Sequence, residues 1–431
     1  MSKHISKRTM RHVALCGGLV SSVALPFTAF AQNDDGGFLM TLRLAERLIS
    51  RDVDGPETTP TNGTTTKATT DLGLAISSET RTQMLTFDLN AGYSFADGPD
   101  TDGVEGAFTD PNVRLSYRQI AAASAITVSA FASRTDLDAA TTLDVSQSLE
   151  ADFAELTQDG GTRDRFRFDA KLTLRDDAPF GLNFAVKVDD YRYNDLPDIS
   201  TLTDFTYVQL STGARFDINP VMQANLGLSY AETDNSGSDT IGSFGIDAGL
   251  VLTQPNGQIT LDLATTKADG DGQIHLSAGR SYQLENTTAS FGLGVSQATT
   301  DDIFMTGEAA LKHTFGDESP FGTLTASADR RLTREGRTDE DVVTSLSVGT
   351  SYALTPVASL RLSAGYVQSE DVITGDTVDF SQAALAVTYA LNPDWTANAG
   401  VAMQSRDPSD DAATDTTTLS LGISRAFDLR R

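Results

Sequence analysis

Residues 84–95 read Met-Leu-Thr-Phe-Asp-Leu-Asn-Ala-Gly-Tyr-Ser-Phe, and this stretch decides the fold class. Every second residue from Leu85 to Phe95 is apolar, and Thr, Asp, Asn, Gly and Ser stand between them. Side chains on a β-strand point alternately to opposite faces. The period of two therefore predicts a strand with one apolar and one polar face, and it excludes an amphipathic helix.

The same alternation recurs along the chain, as at 165–175, 225–230, 244–253 and 383–391. The segments are joined in turn by short and by long polar connections. Short connections rich in Asn, Asp and Pro lie at 217–220, 254–257, 355–356 and 392–394. Long ones rich in Asp, Gly, Thr and Ser lie at 96–110, 194–203, 232–240, 333–340, 369–377 and 406–415. Alternating short turns and long loops are typical of an up-and-down barrel in an outer membrane.

The pattern predicts an all-β, transmembrane, antiparallel barrel of about 20 strands, within a range of 18 to 22. The predicted strands are 38–48, 71–80, 83–95, 111–119, 125–134, 165–176, 181–191, 204–217, 221–232, 242–254, 258–267, 273–281, 288–297, 302–315, 321–332, 341–354, 357–369, 378–391, 394–405 and 415–428. The ambiguous stretch 142–152 is assigned to a long loop, because this keeps short and long connections in phase. Soluble sandwiches and propellers also alternate, but the small residues on the apolar face and the absence of a blade-length repeat favour the membrane barrel.

Composition restricts the function classes. The chain has 431 residues and a formal net charge of −27, with 59 acidic and 32 basic residues, which excludes an unassisted nucleic-acid binder. The basic segment 3–11, the uncharged stretch from Val13 and the sequence Ala29-Phe30-Ala31 indicate a signal peptide over 1–31, so that 32–431 forms the barrel. The one cysteine, Cys16, falls within that signal peptide, so the exported chain has no disulfide.

The opening segments resemble a family. Residues 41–48 (Thr-Leu-Arg-Leu-Ala-Glu-Arg-Leu), 72–75 (Leu-Gly-Leu-Ala) and 78–83 (Ser-Glu-Thr-Arg-Thr-Gln) are similar to those of Gram-negative outer-membrane β-barrel porins encoded beside exopolysaccharide genes. The resemblance implies a cell outer-membrane location, contact with membrane lipids and lipopolysaccharide, and insertion by the barrel-assembly machinery. Barrels of this kind usually end on an aromatic residue, whereas here Phe427 lies four residues before the C-terminus.

Basic residues are expected on the polar face, which would line the lumen. They are Arg114, Arg118, Arg165, Arg167, Lys171, Arg175, Lys187 and Arg215. Basic side chains inside a pore favour anionic solutes. The alternative is a structural network, in which Asp88, Asp169 and Asp189 pair with these bases.

Three functions follow from this architecture. The first is a passive channel for small hydrophilic solutes, with anions favoured. The second is a plugged or narrow barrel with a structural role, linked to polysaccharide export or to the cell envelope. The third is a lipid hydrolase, because His275 and Ser277 share a strand face as in outer-membrane phospholipase A and lipid A deacylases. Ala278 replaces the Asn of the phospholipase motif, so we expect no enzyme and no catalytic residues. We also expect no metal site and no cofactor, and the oligomeric state is left open.

Overall fold

The computed structural model describes residues 37–55, 62–98, 107–137, 161–196, 202–236, 240–268, 271–316, 319–333, 340–409 and 412–430. The predicted signal peptide and the ambiguous stretch 142–152 lie outside these ranges. Within them, no helix has the length and apolar character needed to cross a membrane.

Twenty β-strands account for nearly all of the described chain. They are β1 (Gly37–Asp54), β2 (Gly63–Glu79), β3 (Gln83–Asp97), β4 (Ala107–Ala121), β5 (Ser124–Asp136), β6 (Thr162–Leu174), β7 (Phe180–Asn194), β8 (Phe205–Asn219), β9 (Met222–Asn235), β10 (Ile241–Gln254), β11 (Gly257–Ala268), β12 (Asp271–Gln283), β13 (Thr287–Gln297), β14 (Ile303–Thr314), β15 (Phe321–Thr333), β16 (Asp341–Thr355), β17 (Ala358–Asp371), β18 (Thr377–Ala390), β19 (Trp395–Pro408) and β20 (Thr414–Arg430).

Each strand pairs antiparallel with the next in sequence, and β1 also pairs with β20. The sheet therefore closes on itself and leaves no edge strand. At the closing seam Leu42 lies opposite Phe427, and Leu39 lies opposite Arg430. The predicted fold class, an up-and-down antiparallel barrel of about 20 strands, is confirmed.

The register aligns apolar residues of neighbouring strands on one face of the sheet. Leu42 lies opposite Leu74, which lies opposite Leu89. The exposed large hydrophobic side chains include Leu72, at 54%, and Leu293, at 66%. A closed barrel in a bilayer presents its apolar face outward. We call this the outer face, and we call the opposite, polar face the lumen face.

The two ends of the barrel differ in their connections. The connection from β8 to β9 has two residues, 220–221, whereas the connection from β3 to β4 runs from 98 to 106. The described chain begins and ends at the short-turn end, since β1 rises from that end and β20 returns to it. This matches the arrangement of bacterial barrels, whose short turns lie in the periplasm.

Aromatic side chains of the outer face cluster at both ends of the barrel. At the short-turn end Phe180 lies 5.1 Å from Phe216, measured between ring centroids. At the long-loop end Tyr93 lies 5.6 Å from Phe108. Two such girdles mark the membrane–water interfaces of a transmembrane barrel.

Glycines of the lumen face make room for polar side chains that lie along the wall. A Cβ on Gly213 would collide with the amide of Asn183, and one on Gly227 would collide with the carboxylate of Asp247. In each pair the glycine lies on the strand beside the polar residue. The polar groups can therefore lie flat against the sheet, which leaves the lumen less obstructed.

Candidate functional site

The lumen face of β4, β6, β7 and β8 carries most of the predicted basic residues. Arg114 lies opposite Asp88 of β3 and Phe131 of β5, so it belongs to the polar face. The same alternation places Arg118, Arg165, Arg167, Lys171, Lys187 and Arg215 on that face. We call these seven residues, together with Arg163 of β6, the basic wall.

The basic wall is arranged in rows that follow one another along β6. Arg163 and Arg165 lie nearest the long-loop end, because β6 runs from that end to the short turns. Arg167 occupies the next row, in which Phe131 of β5 lies between Arg167 and Arg114 of β4. Lys171 follows closer to the periplasmic end, and Thr127 separates it from Arg118. The positive charges thus form a column that follows β6 along the wall of the lumen.

Asp189 of β7 is the acidic centre of this column. Its Oδ1 accepts a hydrogen bond from Arg167 Nε at 2.9 Å and pairs with Arg165 Nη2 at 3.3 Å. Its Oδ2 lies 3.6 Å from Lys187 Nζ. The Asp189 side chain is only 6% exposed, so one nearly buried carboxylate faces three cations. The cluster keeps an excess of positive charge.

Aromatic rings on the lumen face hold the cations in place. The guanidinium carbon of Arg165 lies 4.8 Å from the ring centroid of Tyr191, and that ring stacks on Phe205 at 4.4 Å. Lys187 Nζ lies 5.3 Å from the Tyr207 ring. Cations over aromatic faces are attracted by the ring quadrupole. These rings stiffen the basic side chains without neutralising their charge.

Arg118 and Lys171 differ from the cations around Asp189. In the part of the chain that the structure describes, neither has a carboxylate oxygen within 4.0 Å of its side-chain nitrogens. Asp88 and Asp169 likewise form no ion pair within that distance among the described residues. The structural network expected from three acids is therefore present at Asp189 and absent at the other two.

Arg215 and Arg175 occupy positions that differ from a free pore-lining base. Arg215 donates to the backbone oxygens of Asp176 and Ala178, both at 2.8 Å, and its Nη1 lies 2.9 Å from Asp176 Oδ1. It therefore fastens the turn between β6 and β7. The prediction of Arg175 as a strand residue of the lumen face is wrong: β6 ends at Leu174, and Arg175 has a positive φ of 55°. Its guanidinium lies 5.7 Å from the Phe180 ring, on the outer face.

Sequence reasoning missed nine described bases of the lumen face. They are Arg43, Arg47 and Arg51 of β1, Lys67 of β2, Arg163 of β6, Lys312 of β14, Arg331 of β15, Arg361 of β17 and Arg406 of β19. Arg47 forms a two-pronged contact with Asp71, at 2.6 and 2.9 Å. The signal for β1 was present in the alternation of Arg43 and Arg47 with Leu42, Leu44 and Leu48. Arg51 lies beyond the first predicted strand, which ended at 48. Lys67 lies before the second predicted strand, which began at 71.

The bases of the lumen face are concentrated on one side of the barrel. Among the side chains that the structure describes, β1–β8 contribute twelve: Arg43, Arg47, Arg51, Lys67, Arg114, Arg118, Arg163, Arg165, Arg167, Lys171, Lys187 and Arg215. The other twelve strands contribute four: Lys312, Arg331, Arg361 and Arg406. The described bases of the lumen face therefore form an arc on one side of the wall.

His275 and Ser277 lie on the lumen face of β12 without forming a nucleophile pair. His275 Nδ1 lies 2.8 Å from Ser296 Oγ of β13. Ser277 lies opposite Asp262 on one side and Gly294 on the other. Across the described residues, no group of three or more His, Cys, Asp or Glu side chains is arranged to hold a metal ion.

Comparison with known proteins shows that part of the chain is similar to a known family. Residues 226–409 match the sequence model of the Gram-negative porin family. The chain is a porin-like outer-membrane β-barrel. The match over this part of the chain and the closed barrel are consistent with a channel. A comparison with curated protein sequences found no match, and the association with exopolysaccharide genes stays a prediction.

Solved structures resemble the barrel in fold. The ferric enterobactin receptor PfeA of Pseudomonas aeruginosa superimposes with a TM-score of 0.50 at 9% identity, over 92% of this chain and 82% of the receptor. OpdK of the same organism gives 0.42 at 14% identity, over 93% of this chain and 100% of that protein. OpdQ, also of Pseudomonas aeruginosa, gives 0.40 at 10% identity, with the same coverage.

Proposed function

We propose that this barrel is a passive channel for small hydrophilic solutes and that it favours anions. The observation that carries the proposal is the column of bases from Arg163 to Arg118, whose charge Asp189 balances only in part. Fixed cations inside a pore raise the local concentration of anions and retard cations.

The size of the barrel supports passage through the lumen. Eight strands enclose an interior that side chains can fill, whereas barrels of 16 to 18 strands leave an aqueous channel. Twenty strands exceed that range. Small residues on the lumen face, such as Gly213 and Gly227, let neighbouring polar groups lie along the wall.

The test is swelling of liposomes that contain the purified protein. Three solutes of matched size are compared: an organic anion, an uncharged sugar and an organic cation. We expect the anion to enter fastest and the cation slowest. No swelling with any solute, although the protein is inserted, would contradict a channel. Fastest entry of the cation would contradict the preference for anions while leaving the channel in place.

A further inference from the structure

The outer face of β16–β19 contains a depression made by two small residues. Ala364 of β17 lies opposite Ala383 of β18. Val348 of β16 flanks the first alanine, and Met403 of β19 flanks the second. The four side chains form one row across four strands, with large groups at its ends and methyl groups in its middle. We call this depression the alanine groove.

The alanine groove has a volume of about 360 Å³. Its side towards the short turns is formed by Leu362, Leu385 and Val401, which lie in the row next to the alanines. Pockets for small ligands occupy roughly 300–1,000 Å³. The groove is therefore large enough for part of a ligand, and its outer-face side chains are apolar apart from Thr350 of β16.

A polar cluster lies on the same outer face two rows beyond the alanines, towards the long-loop end. Tyr366 Oη donates to Asp379 Oδ1 at 2.5 Å, and Gln368 Nε2 donates to the same oxygen at 3.0 Å. Asp379 lies opposite Asp407 of β19, whose side chain is exposed. The cluster therefore offers carboxylate oxygens at the level where the apolar surface ends.

We propose that the alanine groove binds one acyl chain of an outer-leaflet glycolipid, with its sugar hydroxyls at Asp379 and Asp407. The groove faces the hydrocarbon of the bilayer, where water does not compete and an acyl chain is the adjacent apolar material. Carboxylates accept hydrogen bonds from hydroxyl donors, so the polar cluster suits a hydroxyl-rich head. The proposal depends on the outer face alone and is independent of what passes through the lumen.

Photolabelling tests the proposal on the full mature protein in lipid vesicles. The probe is a glycolipid with a diazirine near the middle of one acyl chain, and peptide mass spectrometry locates the label. We expect labelled peptides to be concentrated within residues 346–405. Labelling spread evenly around the barrel would overturn the proposal.

Two double variants separate filling of the groove from a general change of the surface. Ala364→Leu with Ala383→Leu fills the groove, and we expect about tenfold less label there, since overpacking a fitted site is unfavourable. Ala130→Leu with Ala170→Leu adds the same side chains to the outer face of β5 and β6 and should leave the label unchanged. Only folded protein is counted, which is recognised because its electrophoretic mobility changes when the sample is heated. Equal labelling of the groove in both variants would contradict the proposal.

A chemically distinct probe tests the head-group contact. Asp379→Asn should reduce labelling by the glycolipid but not by a phospholipid that carries the same diazirine chain. If both probes lose label equally, the head-group contact is wrong. If the groove is instead protected from labelling by the lipid and crosslinks to a second copy of the chain, its occupant is another subunit and the lipid proposal fails.

Discussion

Asp189 of β7 lies directly opposite Arg167 of β6, and its Oδ1 accepts a hydrogen bond from Arg167 Nε at a distance of 2.9 Å. The same carboxylate faces Arg165 and Lys187, so it stabilises the wall while leaving it positive. Structural pairing and selectivity are therefore properties of one cluster, and they can be separated by experiment.

Asp189→Asn removes the negative charge and leaves three neighbouring cations without it. Breaking a buried ion pair leaves an uncompensated charge, and we expect the free energy of unfolding to fall by about 2–3 kcal/mol. This loss lies at or below the range of about 3–5 kcal/mol for breaking a fully buried ion pair, because the Arg167 side chain is 38% exposed. Reversible urea unfolding in lipid vesicles measures the change.

Asp164→Asn is the matched control for this substitution. Asp164 pairs with Arg134 on the outer face at 2.6 Å, but their side chains are 37% and 56% exposed. An exposed pair of this kind contributes less than about 1 kcal/mol. If the two variants lost equal stability, the central place of Asp189 in the wall would be wrong.

Arg118 and Lys171 supply positive charge for which no carboxylate lies within 4.0 Å among the described residues. Replacing both with Gln should therefore weaken the preference for anions with little loss of stability. The zero-current potential in a salt gradient should move towards the value of a cation-selective pore. Lys267→Gln, on the outer face of β11, is the control and should leave that potential unchanged. A double variant that retains the wild-type potential would exclude these two bases from selectivity.

Gly213→Ala places a methyl group where the amide of Asn183 lies. The exposed Asn183 amide must turn off the wall into a less favourable conformation, and we expect a loss of about 0.5–1.5 kcal/mol in the free energy of unfolding. Gly316→Ala is the control, because nothing lies within 4 Å of a Cβ built there. The same unfolding measurement compares them. Equal stability of both variants would show that the glycine beside Asn183 is not needed for packing.

The hydrolase hypothesis makes a separate prediction. His275 Nδ1 is hydrogen-bonded to Ser296 Oγ at 2.8 Å. Ser277 lies opposite Asp262 on one neighbouring strand and Gly294 on the other. We expect no acyl-ester hydrolysis by the purified protein, and the same background rate for Ser277→Ala. Hydrolysis by the wild-type protein that disappears in Ser277→Ala would establish an enzyme after all.

Much of the fold followed from the sequence because side chains alternate along a strand. Each of the twenty predicted strands corresponds to an observed one, from β1 at Gly37–Asp54 to β20 at Thr414–Arg430. Strand ends were less accurate. β2 begins at Gly63, eight residues before its predicted start, because the Thr-rich segment there lacks the apolar side chains that signal a strand.

The contacts of the site were less predictable than its strands. Alternation places Arg167 on the lumen face, but it does not say which acid of another strand lies opposite. That depends on register, which the turn between β6 and β7 sets through its length and through the contacts of Arg215. Arg175 was misplaced for a different reason: β6 ends at Leu174, and the residue after a strand no longer obeys its alternation.

Single-channel recording in planar bilayers tests whether the lumen is open and prefers anions. We expect steady, ohmic current steps from the purified protein, with a zero-current potential in a salt gradient that reports a preference for anions. Protein whose insertion is confirmed and that carries no current would contradict an open lumen, and a preference for cations would contradict the role given to the basic wall.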